Sequence, residues 1–540
     1  MPAIDSPVET SLSSSLNPHI ASESVPSPYS VIRVRDSCPS IMDKPNFALF
    51  KFIKQPFLDP PLENGILLGI IKMISHFQVF IRFIRYHSFY SAFEAMKETV
   101  CLVSLGCPKN LVDSEVILGL LSQEGYLLTT NPSEANILIV NTCSFIQDAT
   151  KEAIETILHL SHYKQKGHCR LLIVSGCLPQ RYGKALEKEL PEVDLFVGTG
   201  DFQKLPQILS QEQKAKSFLS RPTFLYDEKT PRILSTPPFI AYLKIAEGCF
   251  NTCTFCTVPM IRGAYRSRRL RSVLEEARRL ADQGVQEIIL IAQDTTAYGR
   301  ELRDGTNLEK LLRGLVKVEG LHWIRMLYSY PKASNFTKGL MELISQEKKI
   351  CPYLDLPIQH IDDEMLRRMG RRTSGHEIRS LLHQIKNALP GVSLRTSLIV
   401  GFPGEGKSHF KALCDFVEEI QFDHLGAFKY SSEEGTAASR LSDSVPESVK
   451  EERLRLLMGL QKKISLKKYR EMVGKRMEVL VEGPDGQKGI LRGRLQTQAP
   501  EIDGCVFLKG KARPGNWVET RITQALPYDL VGQIERILPS

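Results

Sequence analysis

The chain has 540 residues, 42% of them apolar and 24% charged, which excludes a largely disordered protein and leaves room for about three domains. Twelve cysteines are too few for a disulfide scaffold at this length, and a reducing, cytoplasmic setting is expected. A net charge of +9 permits a nucleic-acid or ribosomal partner without requiring one.

Residues 1–95 read as an extension, balanced at eight acidic and eight basic side chains, so all the surplus charge lies beyond them. Residues 1–45 are rich in Ser and Pro, lack periodicity, and are expected to be disordered. Residues 65–93 are apolar and aromatic, but Lys72, His76, Arg82 and Arg85 break the run. A transmembrane helix and any stable membrane association are therefore not expected, and the run comes too late for a signal peptide. A helix lying on a membrane surface is the alternative to a translation start at Met96, which the pattern favours.

From residue 97 to 207 strand and helix alternate, which predicts a parallel α/β domain. Three strands, near 99–105, 136–140 and 170–174, each run into a cysteine: Cys107, Cys143 and Cys177. Helical patterns follow at 113–124, 147–163 and 180–190. Ligands bind beyond the carboxyl ends of strands in such sheets, so three cysteines 36 and 34 residues apart are expected to share one crevice. Buried thiols also serve as small core residues, but finding all three at one structural station favours ligands of a metal cluster. Cys38, Cys101, Cys169, Cys351, Cys414 and Cys505 occupy no such station.

Residues 208–234 carry scattered Gln, Lys, Ser and Pro and read as a linker. A central domain, 235–470, follows with six strand-like runs at 240–245, 287–292, 323–328, 353–358, 394–400 and 424–429, separated by helical patterns. Six β/α units predict a partial parallel barrel, with its site at the strands' carboxyl ends. After the first run comes Gly248-Cys249-Phe250-Asn251-Thr252-Cys253-Thr254-Phe255-Cys256. A [4Fe-4S] cluster normally takes four thiolates, so Cys249, Cys253 and Cys256 would leave one iron open. Zinc would ask for a fourth Cys or His nearby, and none lies between Cys256 and His322.

Gln293 and Asp294 follow the second run, and Gln359 and His360 the fourth. They are candidates for holding a cofactor or orienting substrate, with helix capping as the plain alternative. Arg262, Arg266, Arg268, Arg269 and Arg271 form a basic run expected to be a solvated face or a partner contact. Gly401-Phe402-Pro403-Gly404-Glu405-Gly406-Lys407-Ser408 fits the phosphate-binding pattern GxxxxGKS and stands between a strand and a helix. Pro403 removes one N–H from that cradle, and no second strand offers a magnesium-binding Asp, so nucleotide hydrolysis is not expected. Residues 472–540 hold five short strand patterns between turns, which predicts a small antiparallel β-barrel. Residues 475–540 carry ten basic and eight acidic side chains, too few positive charges for a barrel that grips RNA phosphates.

The CxxxCxxC loop, with Phe255 before its last cysteine, resembles the radical S-adenosylmethionine superfamily. Cys107-Pro108-Lys109-Asn110-Leu111-Val112-Asp113-Ser114-Glu115, Asn141-Thr142-Cys143 and Ser175-Gly176-Cys177 resemble the methylthiotransferases within it, and Pro108-Lys109-Asn110 resembles their RimO branch. The resemblance runs from about residue 97 to the end. It implies two [4Fe-4S] clusters, a radical-generating one on Cys249, Cys253 and Cys256 and an auxiliary one on Cys107, Cys143 and Cys177. It implies S-adenosylmethionine as radical source and methyl donor, with Gly401 and Glu405 in its pocket, and a TRAM domain at the carboxyl end; Gln293 and Asp294, from their station alone, are candidates for holding its amino group. The implied substrate is an aspartate of small-subunit ribosomal protein twelve, free or on the ribosome, methylthiolated at its β-carbon. An electron donor such as flavodoxin or ferredoxin is implied as a second partner. The alternative is the tRNA-modifying branch, which typically reads Gln-Met-Asn where this chain has Pro108-Lys109-Asn110.

Overall fold

The computed structural model describes residues 30–31, 97–211, 215–487 and 489–539. The expectations for residues 1–45 and 65–93 fall outside the described residues, except for Ser30–Val31, a two-residue strand antiparallel to the next one. That next strand is β1 (Lys97–Ser104), followed by β2 (Tyr126–Leu128), β3 (Ile137–Thr142), β4 (Leu171–Gly176), β5 (Leu195–Gly198) and β6 (Ser217–Phe218). Strands β1, β3, β4, β5 and β6 lie side by side in that order, all parallel, and β2 pairs with β1. β3 is buried along its whole length, as a parallel strand covered on both faces must be.

Helices α1 (Pro108–Gln123) and α2 (Gln147–Ser161) follow β1 and β3, and the short α3 (Cys177–Tyr182) follows β4. α1 starts five residues earlier than its apolar pattern suggested. Pro108 sits in its first turn, where the missing N–H has no helical partner to lose. The stretch 208–234 is not a free linker. Within it β6 pairs with β5, and Arg232 is buried between Glu115 of α1 and Glu276 of the next domain.

The central domain is an open barrel of six parallel strands: β7 (Ile240–Lys244), β10 (Glu287–Ile291), β11 (Trp323–Met326), β12 (Ile350–Asp355), β13 (Ser393–Val400) and β14 (His424–Lys429). Between β7 and β10 lie a small antiparallel pair, β8 (Ala246–Glu247) and β9 (Arg266–Ser267), the short helix α4 (Val258–Arg262), and α5 (Leu270–Asp282). α5 buries Val273, Ala277 and Leu280, the spacing of one helix face. β12 begins three residues before the expected run. Pro352 lies inside it, where the pairing with β11 breaks register between Ile350 and Leu354.

The last domain is a closed barrel of β15 (Arg476–Pro484), β16 (Ile490–Arg494), β17 (Val506–Lys509), β18 (Trp517–Ala525) and β19 (Leu530–Ile537). Four of its pairings are antiparallel, and β17 with β19 is parallel. It seats on the amino-terminal ends of the central strands. Trp517 stacks on His322 at 3.9 Å and meets Trp323 edge-on, and its indole N–H donates to Gln286. Arg494 and Arg325 share the buried Glu287 at the start of β10. The small barrel therefore packs on the end opposite the CxxxCxxC loop.

Candidate active site between two cysteine triads

Because β1, β3 and β4 are neighbours, the cysteines at their carboxyl ends are neighbours too. Cys107 caps α1, Cys143 follows β3 directly, and Cys177 opens α3. Gly106 has φ +88°, and a Cβ there would sit 2.5 Å from Cys143 Cβ, so only glycine lets the strands close. The polar residues of these motifs tie the loops together. Asn110 Nδ2 donates to the Leu105 and Asn141 carbonyls, Asn141 Nδ2 donates to the Asn110 carbonyl and Ser114 Oγ, and Thr142 Oγ1 donates to the Ser175 carbonyl. Burial pushes the Cys143 thiol up to about 12, with Cys177 and Cys107 adding to the shift. Burial also raises Cys177, against the pull of Arg262, whose Nη2 lies 3.5 Å from Cys177 Sγ.

The second triad hangs on the turn after β8. Gly248 has φ +77°, and a Cβ there would meet the Ala264 carbonyl at 2.1 Å. Asn251 aims its backbone N–H and its Nδ2 at Cys249 Sγ, 3.3 and 3.6 Å away. Arg371 Nη1 approaches Cys253 Sγ at 3.6 Å while its other nitrogen donates to the Pro357 carbonyl. Burial pushes Cys256 up to about 12, with Cys253 adding to it. Phe255 packs against the cluster that holds Met365, Met369 and Phe402, which pins the loop to the barrel. Among the described residues no three Cys, His, Asp or Glu side chains converge tightly enough to hold a single metal ion.

A buried polar bridge joins the two triads. Lys244 and Arg262 both contact Asp113 of α1, and both reach Glu247 on the turn before Cys249. Burial opposes ionisation of Glu247, but Lys244 and Arg262 outweigh it and hold its carboxyl well below the usual carboxylate range. Arg262 also donates to Asn110 Oδ1, so one guanidinium touches both motifs. Gln293 Nε2 donates to Glu247 Oε1, while Gln293 Oε1 is buried with no donor on it. Asp294 accepts from Asn251 Nδ2 at 3.1 Å and caps the turn at Thr296. The basic run does not form a solvated face as a whole. Arg262 and Arg268 are buried and paired, whereas Arg269 and Arg271 point to solvent.

The comparisons with known proteins agree with this arrangement. Residues 99–198 match the uncharacterized protein family UPF0004, residues 243–417 the radical SAM superfamily, and residues 473–534 the TRAM domain. The chain is 52% identical over 445 residues to the ribosomal protein uS12 methylthiotransferase RimO of Geotalea uraniireducens, covering 82% of this chain and 99% of that protein. It is 51% identical over 443 residues to the RimO of Geobacter sulfurreducens, covering 81% and 99%. The chain belongs to the RimO family of methylthiotransferases. A solved radical methyltransferase, TsrM from Kitasatospora setae with cobalamin and a [4Fe-4S] cluster bound, has a TM-score of 0.46 at 14% identity over 74% of this chain and 77% of that one, a likeness too weak to bear on the chemistry.

In this RimO-family chain Gly401 and Glu405 meet within one loop. The Glu405 carboxylate accepts from the Gly401 N–H at 2.8 Å and from Arg453 at 2.7 Å, with His360 Nε2 at 3.8 Å. Burial lowers His360 to about 3, so the ring is neutral and accepts from the Asp362 N–H through Nδ1. Glu405 thus shapes the turn from inside. The GxxxxGKS pattern is thereby emptied of its physical content. The N–H groups of Gly401, Gly404, Glu405 and Gly406 are already given to Glu405 Oε2, the Asp443 carbonyl, the Phe402 carbonyl and His409 Nδ1. Four of the loop's N–H groups are thus already bonded, and Pro403 has none to give.

Sequence reasoning passed over Lys109, Arg262, Glu247, Tyr328 and Arg371 as site residues. Tyr328 and Gln359, at the carboxyl ends of β11 and β12, hold left-handed backbone at φ +63° and +76°, a conformation non-glycine residues seldom adopt. Lys109 stands in a recognisable motif but its neighbour Tyr328 comes from another domain, Arg262 and Glu247 meet Asp113 or its partners only when the first two domains pack, and Arg371 reaches Cys253 from more than a hundred residues away.

Proposed function

We infer that this chain methylthiolates the β-carbon of an aspartate in small-subunit ribosomal protein uS12, using S-adenosylmethionine as methyl donor and radical source. The observation that carries the reading is the relation to RimO proteins along 99% of their length at about half identity. The relatives named above are uS12 enzymes, and the carboxyl barrel's slight positive surplus gives the tRNA alternative no support.

Cys249, Cys253 and Cys256 would hold the radical-generating cluster, and Cys107, Cys143 and Cys177 the auxiliary one. The donor sets fit: three thiols on one turn or on adjacent strand ends, glycines where a Cβ would intrude, and a guanidinium beside each triad. When bound, the clusters supply the electron that cleaves S-adenosylmethionine and the station from which sulfur is delivered. The protein's own groups do the rest. Asn251 and Arg371 direct N–H groups at Cys249 and Cys253, and Arg262 directs one at Cys177, so each triad has donors for its thiolate charge. Gln293 Oε1 is the free acceptor that the amino group of S-adenosylmethionine would satisfy. Asp294 holds Asn251, and Gly401 with Glu405 forms the pocket wall. A ribosomal site of action, an electron donor of the flavodoxin or ferredoxin kind, and a cytoplasmic location belong to the same reading. Among the described residues no helix is long and apolar enough to cross a membrane.

Protein purified without oxygen should carry about eight iron and eight sulfide per chain. With uS12 and S-adenosylmethionine, it should add the mass of one methylthio group to the target aspartate. Cys253→Ala should abolish deoxyadenosine formation. Cys143→Ala should halve the iron and stop sulfur insertion while slow S-adenosylmethionine cleavage persists. Modification of tRNA in place of uS12 would overturn the reading.

A further inference from the structure

Lys109 stands two residues after Cys107 and is only 8% exposed, yet its ammonium has no hydrogen bond or ion pair among the described residues. It lies 3.2 Å from the centre of the Tyr328 ring. A ring face offsets part of an ammonium's charge but accepts none of its N–H bonds in the way an oxygen does, so this ammonium, whose stem is buried but whose Nζ is not fully enclosed, keeps donors for an oxygen that enters. The nearby carboxylate does not supply them. Asp355 is taken by Arg395 at 3.0 Å and by the Tyr328 N–H at 2.9 Å. Of the thiols, Cys177 has Arg262 and Cys253 has Arg371, while Cys107 is the one whose charge lies nearest Lys109.

Lys109 therefore reaches from the mouth of one triad to the end of a barrel strand and presents unused donors there. Tyr328, which carries it, is one of the two residues held in left-handed backbone at that end. We propose that Lys109 receives the side-chain carboxylate of the substrate aspartate. Such a contact sets the β-carbon one bond from the anchored carboxylate, two residues along the chain from Cys107. It would also make the site read charge, accepting aspartate and refusing asparagine. This deepens the functional reading above and rests on it.

The test measures binding by the cluster-loaded enzyme, without oxygen, of labelled uS12, free and within small ribosomal subunits, carrying either Asp or Asn at the target position. Wild-type enzyme should bind the Asp form roughly tenfold more tightly, the scale of one charge-assisted contact. Lys109→Gln should bring the ratio to about one with iron content unchanged, and Lys109→Arg should keep most of the preference. A preference that survives in Lys109→Gln overturns the proposal. So does a loss of iron in that variant, which would make Lys109 a support for the sulfur centre instead. If wild-type enzyme binds uS12 without preferring Asp, the proposal falls and the functional reading stands. If it binds neither form, both fall.

Discussion

At the scale of single residues, Arg262 concentrates the most consequence. Its guanidinium is almost fully buried and touches Asp113, Glu247, Asn110 and Cys177, which belong to two domains and both cysteine motifs. Removing one member of a buried charge network leaves the others unpaired, at a cost on the order of 3–5 kcal/mol. Arg262→Met should lower the denaturant midpoint accordingly, and adding Asp113→Asn should return part of the loss, as coupled sites do. A midpoint that does not move would show that Lys244 alone balances both carboxylates. The cysteines around this residue were legible in the sequence because their spacing is local or recurs at one station per strand. Arg262 was not, since nothing in an arginine-rich run says which member turns inward. The division between Arg262 and Arg268 inside and Arg269 and Arg271 outside is decided by α1 and α5, not by the run itself.

At the scale of elements, most of the barrel strands could be read because parallel strands covered on both faces appear as apolar runs, as in β7 and β10, while the edge strand β14 is only partly buried. The strands that escaped notice are too short for a period to show: three residues in β2, four in β5, and two each in β6, β8 and β9. Pro352 displaced the reading of β12 for a related reason, since the chain tolerates it there only by breaking register. The loop from Gly401 to Ser408 is the opposite case, a strong pattern without its chemistry. With Glu405 occupying the loop from inside, the chain should bind no ATP in equilibrium dialysis at concentrations where a phosphate-binding loop saturates. Glu405→Ala should not create binding either, because the N–H groups of residues 404, 405 and 406 stay bonded to Asp443, Phe402 and His409. Saturable ATP binding by the unaltered protein would contradict this.

At the scale of the molecule, two buried carboxylates tie the small barrel to the central strands: Glu287, and Asp503, which meets Arg395, His424 and Tyr353. Glu287 is shared by Arg325 of the central domain and Arg494 of the carboxyl domain, and Glu482 takes another nitrogen of Arg494. Glu287→Gln should loosen that end first, seen as faster proteolytic cleavage between the two barrels. The iron content should stay unchanged, because the cysteines lie at the other end of the strands. Equal cleavage rates would mean that Trp517 and its neighbours suffice to hold the domain. The bridge between the first two domains also governs how the chain is made. Asp113 waits for Lys244 and Arg262, 131 and 149 residues downstream, and Glu115 waits for Arg232, 117 residues on. A nascent amino-terminal sheet emerging from the ribosome carries these carboxylates without their counter-charges until well over a hundred further residues have been synthesised. Completion of its fold, and with it a settled crevice for Cys107, Cys143 and Cys177, is thereby postponed until the start of the second domain has left the exit tunnel.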